Sequence, residues 1–223
     1  MKPGAEHFKE LHDLHQDHRD TNDPELNLRT YRAISWIARS AQVSQEDPDT
    51  AFIHAWISFN SAYARELPRG GFSAARLEFK AFFDKVLDAD PARVIDDQLW
   101  KDFEGPVRNL LETKYLFHPF WMHYNGAPGY EAWEESFRRS QYAAARAINA
   151  RDTLTVLSIV FDRLYVLRNQ IMHGGATWAS SVNRQNVKTG VSLLLSLVPL
   201  FIASMIKSPS IAWGNAYYPV ISE

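Results

Sequence analysis

Apolar residues recur at steps of three and four along most of the chain, which is the period of an α-helix with one buried face. In residues 27–43, for example, Leu28, Tyr31, Ile34 and Ile37 fall on one side of a helix. No run alternates apolar and polar residues between turn signals, as a half-buried strand would. The pattern predicts an all-α protein, a helical bundle of about seven to eight helices.

Local signals mark where several of these helices begin and end. Pro48, with acidic residues around it, precedes an aromatic helix, and Ser73 can cap the helix that follows. Asp152 can cap a long, mostly apolar helix. Gly174 and Gly175 are expected to end that helix, since glycine accepts the left-handed conformation common at helix C-termini.

We expect the chain to form one domain with a short extension. Residues 1–23 are acidic and rich in histidine, and are expected to form a polar N-terminal extension, frayed or loosely attached as a helix. Residues 24–223 contain no convincing linker or internal repeat and are expected to form a single all-α domain.

The most apolar segment, residues 189–206, carries no charge and is at the lower limit of length for a membrane span. Ser192, Ser196 and Ser204 are spaced as a small polar stripe, and Pro199 interrupts the middle. These features favour a buried helix of the bundle. The N-terminus also lacks an apolar signal core, so we expect a cytoplasmic protein without a membrane partner.

Composition excludes several kinds of chemistry. The 223 residues include no cysteine, which excludes disulfide scaffolds, thiolate zinc sites, iron–sulfur clusters and cysteine nucleophiles. The formal net charge is −2, so no global basic field holds a long nucleic acid, and any such contact must be local.

The long helix carries the most informative polar groups. Asp162, Tyr165, Asn169 and His173 recur at steps of three and four on one face, with Arg168 beside them. Histidine exchanges protons near neutral pH, and arginine offers a cationic fork for phosphate oxygens. This set fits RNA cleavage by attack of a ribose 2′-hydroxyl, a reaction that needs neither metal nor cofactor. The alternative is structural, with His173 capping carbonyl groups and Arg168 pairing with a surface acid.

Two stretches resemble the HEPN domain family (higher eukaryotes and prokaryotes nucleotide-binding), in particular its Apea-like branch. LRNQIMHGG matches the family's motif of an arginine, a polar residue and a histidine, at Arg168, Asn169 and His173. AWISFNSAYARE is similar to the branch's first core helix. The resemblance covers residues of about 50–70 and 150–207 well. It covers residues 1–45 and 70–150 poorly.

The resemblance implies a HEPN-like core and a homodimer whose motifs face each other. It implies a metal-independent endoribonuclease of toxin–antitoxin or other defence systems, with RNA, or a nucleotide, as ligand and an antitoxin or defence protein as a further partner. Arg168, Asn169 and His173 would be catalytic. Apart from the resemblance, we expect Asn60 and Tyr165 to contact the substrate, and Asn60 could instead satisfy a backbone group inside the bundle. The alternatives are a catalytically inactive RNA- or nucleotide-binding module and a purely structural subunit.

Two further groups of residues invite a functional interpretation. His7, His12, His15 and His18 could suggest a metal site, but they lack the spacing of a closed ligand set, so we expect a solvated helix and no metal. The aromatic stretch 115–133 could stack RNA bases, although a core or dimer-interface role is more common for such clusters.

Overall fold

The computed structural model describes residues 5–64, 71–102, 104–216 and 218–220, and it confirms the all-α class. These residues form ten α-helices and no strand. In chain order the helices are α1 (Ala5–His18), α2 (Pro24–Val43), α3 (Pro48–Tyr63), α4 (Gly71–Asp88), α5 (Val94–Asp102), α6 (Glu104–Glu112), α7 (His118–Tyr124), α8 (Trp133–Asn149), α9 (Thr153–Met172) and α10 (Arg184–Lys207), with a 3₁₀ turn at Lys114–Leu116.

The predicted count of seven to eight helices is too low, because the pattern did not indicate α1 and α7 as helices of their own. Helix α1 lies in the polar segment expected to extend from the domain. Helix α7 begins at His118, where Pro119 takes a first-turn position and starts a new helix. Ser73 was expected to begin α4, but that helix starts at Gly71.

Helix α1 packs against α2 and α10. Its apolar residues Phe8 and Leu11 are buried in the same core as the rest of the bundle. In the turn after α1, Asn22 donates a hydrogen bond from Nδ2 to the carbonyl oxygen of Ile206, 3.1 Å away at the end of α10. The polar segment therefore covers one side of α10.

Aromatic rings dominate the centre of the bundle. Phe59 of α3 is fully buried, and its ring centroid lies 4.5 Å from that of Phe161 on α9 and 6.0 Å from that of Phe83 on α4. Phe201 of α10 closes the group at 6.0 Å from Phe161. Such ring pairs stabilise a core beyond the area that they bury.

Helix α10 runs through the middle of the fold. Of the described helices it alone is long and apolar enough to cross a membrane, but 78% of its most apolar window is buried inside the bundle. A lipid-facing helix would present that surface outward. The burial agrees with the core role expected for residues 189–206.

Gly190 allows α10 to approach its neighbours closely. A Cβ atom at this position would stand 2.7 Å from a ring carbon of Phe52 on α3 and 3.1 Å from a methyl carbon of Leu164 on α9. Both distances are shorter than ordinary carbon contacts. The missing side chain of Gly190 therefore sets the spacing of three central helices.

Arg29 of α2 ties the C-terminal tail to the bundle. Its side chain is almost fully buried, and Nη1 donates to the carbonyl oxygens of Trp213 at 2.6 Å and Gly214 at 2.8 Å. Nη2 donates to the carbonyl oxygen of Ala62 at the end of α3. Trp213 is itself buried.

Candidate functional site

The helix that carries the predicted motif has well-defined ends. Asp152 accepts hydrogen bonds from the backbone N–H of Thr155 at 3.0 Å and from its hydroxyl at 2.7 Å, which confirms the predicted cap of α9. At the other end Gly174 adopts φ +70°, its N–H donates to Ile171, and the N–H of Gly175 donates to Gln170. This Schellman arrangement satisfies the last carbonyl groups and ends the helix at Met172.

The polar face of α9 becomes steadily more exposed toward its C-terminus. Asp162 is buried, Tyr165 and Asn169 are half-buried, and His173 is exposed. The same face therefore carries a buried carboxyl group at one end and a solvent-accessible imidazole at the other.

Arg168 and Asn169 are held together by a direct hydrogen bond. Nη1 of Arg168 donates to Oδ1 of Asn169 at 3.0 Å. The Nε–H of Arg168 is buried and has no acceptor among the residues that the structure describes. A buried donor without a partner costs roughly 1–3 kcal/mol, so a bound acceptor at this guanidinium would stabilise it.

The charge of Arg168 is also felt by the end of α3. Burial, with Glu78 of α4 and Tyr165, raises the pKa of the Tyr63 phenol, and the cation of Arg168 partly offsets that rise. The four side chains therefore belong to one electrostatic group where α3, α4 and α9 meet.

His173 occupies the C-cap position of α9, and its backbone N–H donates to the carbonyl oxygen of Asn169. Ideal helix geometry separates Arg168 and His173 by about 140° around the axis and about 7.5 Å along it. Within the described part of the chain, no hydrogen bond or ion pair joins the imidazole to Arg168 or Asn169. The structure thus brings Arg168 and Asn169 together, with His173 one turn beyond them.

Gln170, which the sequence did not single out, fixes the surroundings of this helix end. Its amide Nε2 donates to the carbonyl oxygen of Tyr115 at 2.6 Å, and Oε1 accepts from Nδ2 of Asn183 at 3.0 Å. One side chain therefore links the end of α9 to the 3₁₀ turn and to the start of α10. Only tertiary contacts reveal this role.

Part of the aromatic stretch 115–133 forms a half-buried cluster around Phe120, next to Gln170, whereas Leu116 and Phe117 are buried. The ring of Phe120 lies 5.4 Å from Tyr115, 5.2 Å from Trp121 and 5.0 Å from Trp133, each nearly edge to face. Helix α7 contains no buried residue, so the cluster does not form the core of the chain. Trp121 Nε1 donates to the same Tyr115 carbonyl oxygen as Gln170, which fixes the cluster against α9.

Asp162 and Arg163 form a second polar group near the middle of α9. Asp162 Oδ2 lies 2.6 Å from Nε of Arg76 on α4, yet burial raises the pKa of this carboxyl to about 6, since the two neighbouring arginines only partly compensate. Burial lowers the pKa of Arg163 to about 10. Arg163 lies 4.7 Å above the ring of Phe117 and donates to Oγ of Ser140 at 2.9 Å.

The two residues expected to contact a substrate occupy different environments. Tyr165 is half-buried, with its ring 6.2 Å from Trp56 and 6.0 Å from Phe79. Asn60 is half-buried in the last turn of α3. Over the described ranges no hydrogen bond joins the Asn60 side chain to Arg168 or His173.

Two of the N-terminal histidines make separate contacts. His15 is buried and its Nδ1 lies 3.2 Å from the hydroxyl of Thr30, whereas Nδ1 of His18 lies 3.0 Å from the carbonyl oxygen of Leu14. The side chain of His7 lies outside the described residues. No group of three or more histidine, aspartate or glutamate side chains in the described part of the chain could hold a metal ion.

Comparisons with models of protein families, with curated proteins and with solved structures find no match to this chain.

Proposed function

We propose that this chain is a HEPN-like, metal-independent endoribonuclease that acts in the cytoplasm as a homodimer. Arg168, Asn169 and His173 would form its catalytic group. The observation that carries the proposal is the Arg168–Asn169 pair beside an exposed His173 at the end of one helix. The motif resemblance supplies the reaction type, and a defence or toxin–antitoxin setting follows from the same resemblance.

The free hydrogen-bonding capacity of Arg168 supports a role in binding phosphate. Among the residues that the structure describes, its Nε–H has no acceptor, and Asn169 accepts from Nη1. A non-bridging phosphate oxygen would supply the missing acceptor and would gain negative charge in the transition state. Asn169 would hold the guanidinium fork in place.

The exposure of His173 suits a group that must reach a substrate and exchange protons with it. As a base, His173 would remove the proton of a ribose 2′-hydroxyl, whose oxygen then attacks the adjacent phosphorus. The bond to the 5′-oxygen breaks, and that oxygen takes a proton from an acid. The products would be a 2′,3′-cyclic phosphate and a 5′-hydroxyl.

The need for both a base and an acid supports the dimer. A single chain places one imidazole at the end of α9, whereas two copies with these helix ends apposed would supply two. A light-scattering mass near twice 25.6 kDa is expected, and a mass near 25.6 kDa at micromolar concentration would contradict a shared site.

The decisive experiment is incubation of the purified chain with single-stranded RNA in EDTA. Cleavage is expected to persist in the chelator and to fall at least 100-fold in the His173→Ala variant, the usual size of a proton-transfer contribution. The matched control is His12→Ala, which removes another exposed histidine, on α1.

Equal cleavage by His173→Ala and wild type would refute the assignment. RNA binding without cleavage, weakened in Arg168→Ala, would identify the inactive RNA-binding module instead. A chain that neither binds nor cleaves RNA would be a structural subunit.

A further inference from the structure

A groove of about 820 Å³ lies between α1, the turn at 19–23 and the first half of α2. It is far in sequence from the motif on α9. This volume is within the range of small-molecule pockets in proteins. The groove includes none of the residues of α9, so an inference about it does not depend on the ribonuclease proposal. Its lining residues used below are His15, Arg19, Asn22, Asn27 and Tyr31.

Two asparagines of this groove carry acceptor oxygens without partners. Nδ2 of Asn22 donates to the carbonyl oxygen of Ile206, and Nδ2 of Asn27 donates to the carbonyl oxygens of Arg19 and Asn22 at 2.7 and 3.2 Å. Because a carbonyl oxygen only accepts, these contacts fix which way both amides face. Both Oδ1 atoms are buried and find no donor among the described residues.

Asn22 is the stronger case, since only 6% of its surface is exposed. Its oxygen is shielded from bulk water and lacks a donor among the described residues. A ligand N–H that reached this oxygen would supply the missing donor. Buried acceptors of this kind favour a ligand rich in N–H donors.

His15 adds a third acceptor. The Thr30 hydroxyl has one hydrogen and lies 2.8 Å from the carbonyl oxygen of Leu26, so it accepts from Nδ1–H of His15. That tautomer leaves the lone pair on Nε2. Burial, with the nearby charges of His12 and Arg19, lowers the pKa of His15, which keeps the ring neutral and Nε2 an acceptor.

The remaining walls supply a ring face and a cation. Tyr31 is 53% exposed, and its ring lies 5.9 Å from that of His15. A flat ring on a ligand can stack on such a surface. Arg19 is exposed at the groove and offers its guanidinium to an anionic group.

We propose that this groove binds a small ligand that carries an amino group, a flat ring and an anionic group. The N–H bonds of the amino group donate to two of these three acceptors, the ring stacks on Tyr31, and the anion pairs with Arg19. Two sources share this chemistry, namely nucleotides whose base bears an amino group and aromatic amino acids.

Calorimetric titration of the full chain distinguishes these sources. One arm compares AMP with IMP, which lacks the amino group on the base, and the other compares phenylalanine with 3-phenylpropionate, which lacks the ammonium. Binding is expected in one arm, at least tenfold weaker for the analogue without the amine. Equal affinity of the two members of that arm, or no binding in either arm at millimolar concentration, would overturn the proposal.

Two variants test whether the binding occurs in this groove. Tyr31→Ala is expected to weaken binding at least tenfold, whereas Tyr142→Ala is expected to leave it unchanged. Tyr142 is a matched control because its exposure is 69% and it lies on α8. An unaltered affinity in Tyr31→Ala would place the ligand elsewhere and refute the groove. Because the assay measures binding, its outcome is independent of RNA cleavage.

Discussion

The pairing of Asp162 with Arg76 predicts an unusual response to removal of a charge. The two groups approach to 2.6 Å, so Asp162→Asn would ordinarily be expected to destabilise the fold by breaking an ion pair. Burial, however, raises the pKa of Asp162 to about 6 from its ordinary 3.8. The free energy lost by dehydrating the carboxylate is therefore larger than the free energy gained from its attraction to the two arginines. We therefore expect Asp162→Asn to stabilise the protein at neutral pH.

The size of the effect follows from proton linkage. A difference of about 2.2 between the two pKa values corresponds to about 3 kcal/mol at 1.36 kcal/mol per pKa unit. Because the folded-state pKa is the higher one, the native protein binds the extra proton. Protonation of Asp162 therefore stabilises the fold most below about pH 4, and this stabilisation is lost as the pH rises through about 6. Roughly 2 kcal/mol of the free energy of unfolding is lost between about pH 4.5 and 7.5.

Urea denaturation at several pH values between these limits measures the prediction. The free energy of unfolding of wild type is expected to decline with pH more steeply than that of Asp162→Asn, with the two converging at the acid end. Asp84→Asn, which alters an exposed aspartate of α4, is the control and should follow wild type. A variant less stable than wild type at pH 7.5 would show that the ion pair outweighs burial and would refute the reasoning.

Two glycine positions give further predictions. Gly190→Ala is expected to lower the free energy of unfolding by about 1–3 kcal/mol, because the added methyl would overlap the ring of Phe52. Gly105→Ala, where a Cβ meets nothing within 4 Å, is its control in the same urea assay, and equal stability of the two variants would contradict the close approach. Gly174→Ala is expected to cost about 1–2 kcal/mol because Gly174 has φ +70°. Circular dichroism melts would measure that loss, and Gly174→Asn should lose less; an unchanged melting temperature in Gly174→Ala would argue against the left-handed end of α9.

Features encoded by neighbouring residues could be predicted from the sequence. Asp152 and Gly174 act through contacts within a few positions of themselves, and both ends of α9 lie where those residues indicated. The sequence placed Arg168 and Asn169 side by side at the end of α9, but the hydrogen bond between them is seen only in the structure.

Features that depend on distant residues could not be predicted in this way. Arg76 and Asp162 lie on different helices, and no local pattern distinguishes this arginine from the others. No sequence pattern indicates a role for Gln170, because its hydrogen-bond partners Tyr115 and Asn183 belong to other segments of the chain. Helix α1 escaped confident assignment because its buried Phe8 and Leu11 stand among histidines and acidic residues that weaken the periodic signal.

The aromatic stretch shows why residue type alone does not settle burial. The sequence favoured a core or interface role for residues 115–133. In the structure Leu116 and Phe117 are buried, whereas Phe120, Trp121 and Trp133 are half-buried and pack on one another. Aromatic rings can stabilise one another in a half-buried cluster, because edge-to-face pairs are attractive even when the rings are not fully enclosed. Whether this cluster meets RNA or a second copy of the chain stays a prediction.

The buried guanidinium of Arg29 has a consequence for the order of assembly. Its acceptors belong to the end of α3 and to the tail at Trp213 and Gly214, which are separated by some 150 residues of chain. Before residues 213–214 dock on the bundle, the guanidinium of Arg29 would lack two of its carbonyl acceptors, which makes burial of its charge more costly. The stability of the buried charge on α2 therefore depends on the docking of residues 213–214.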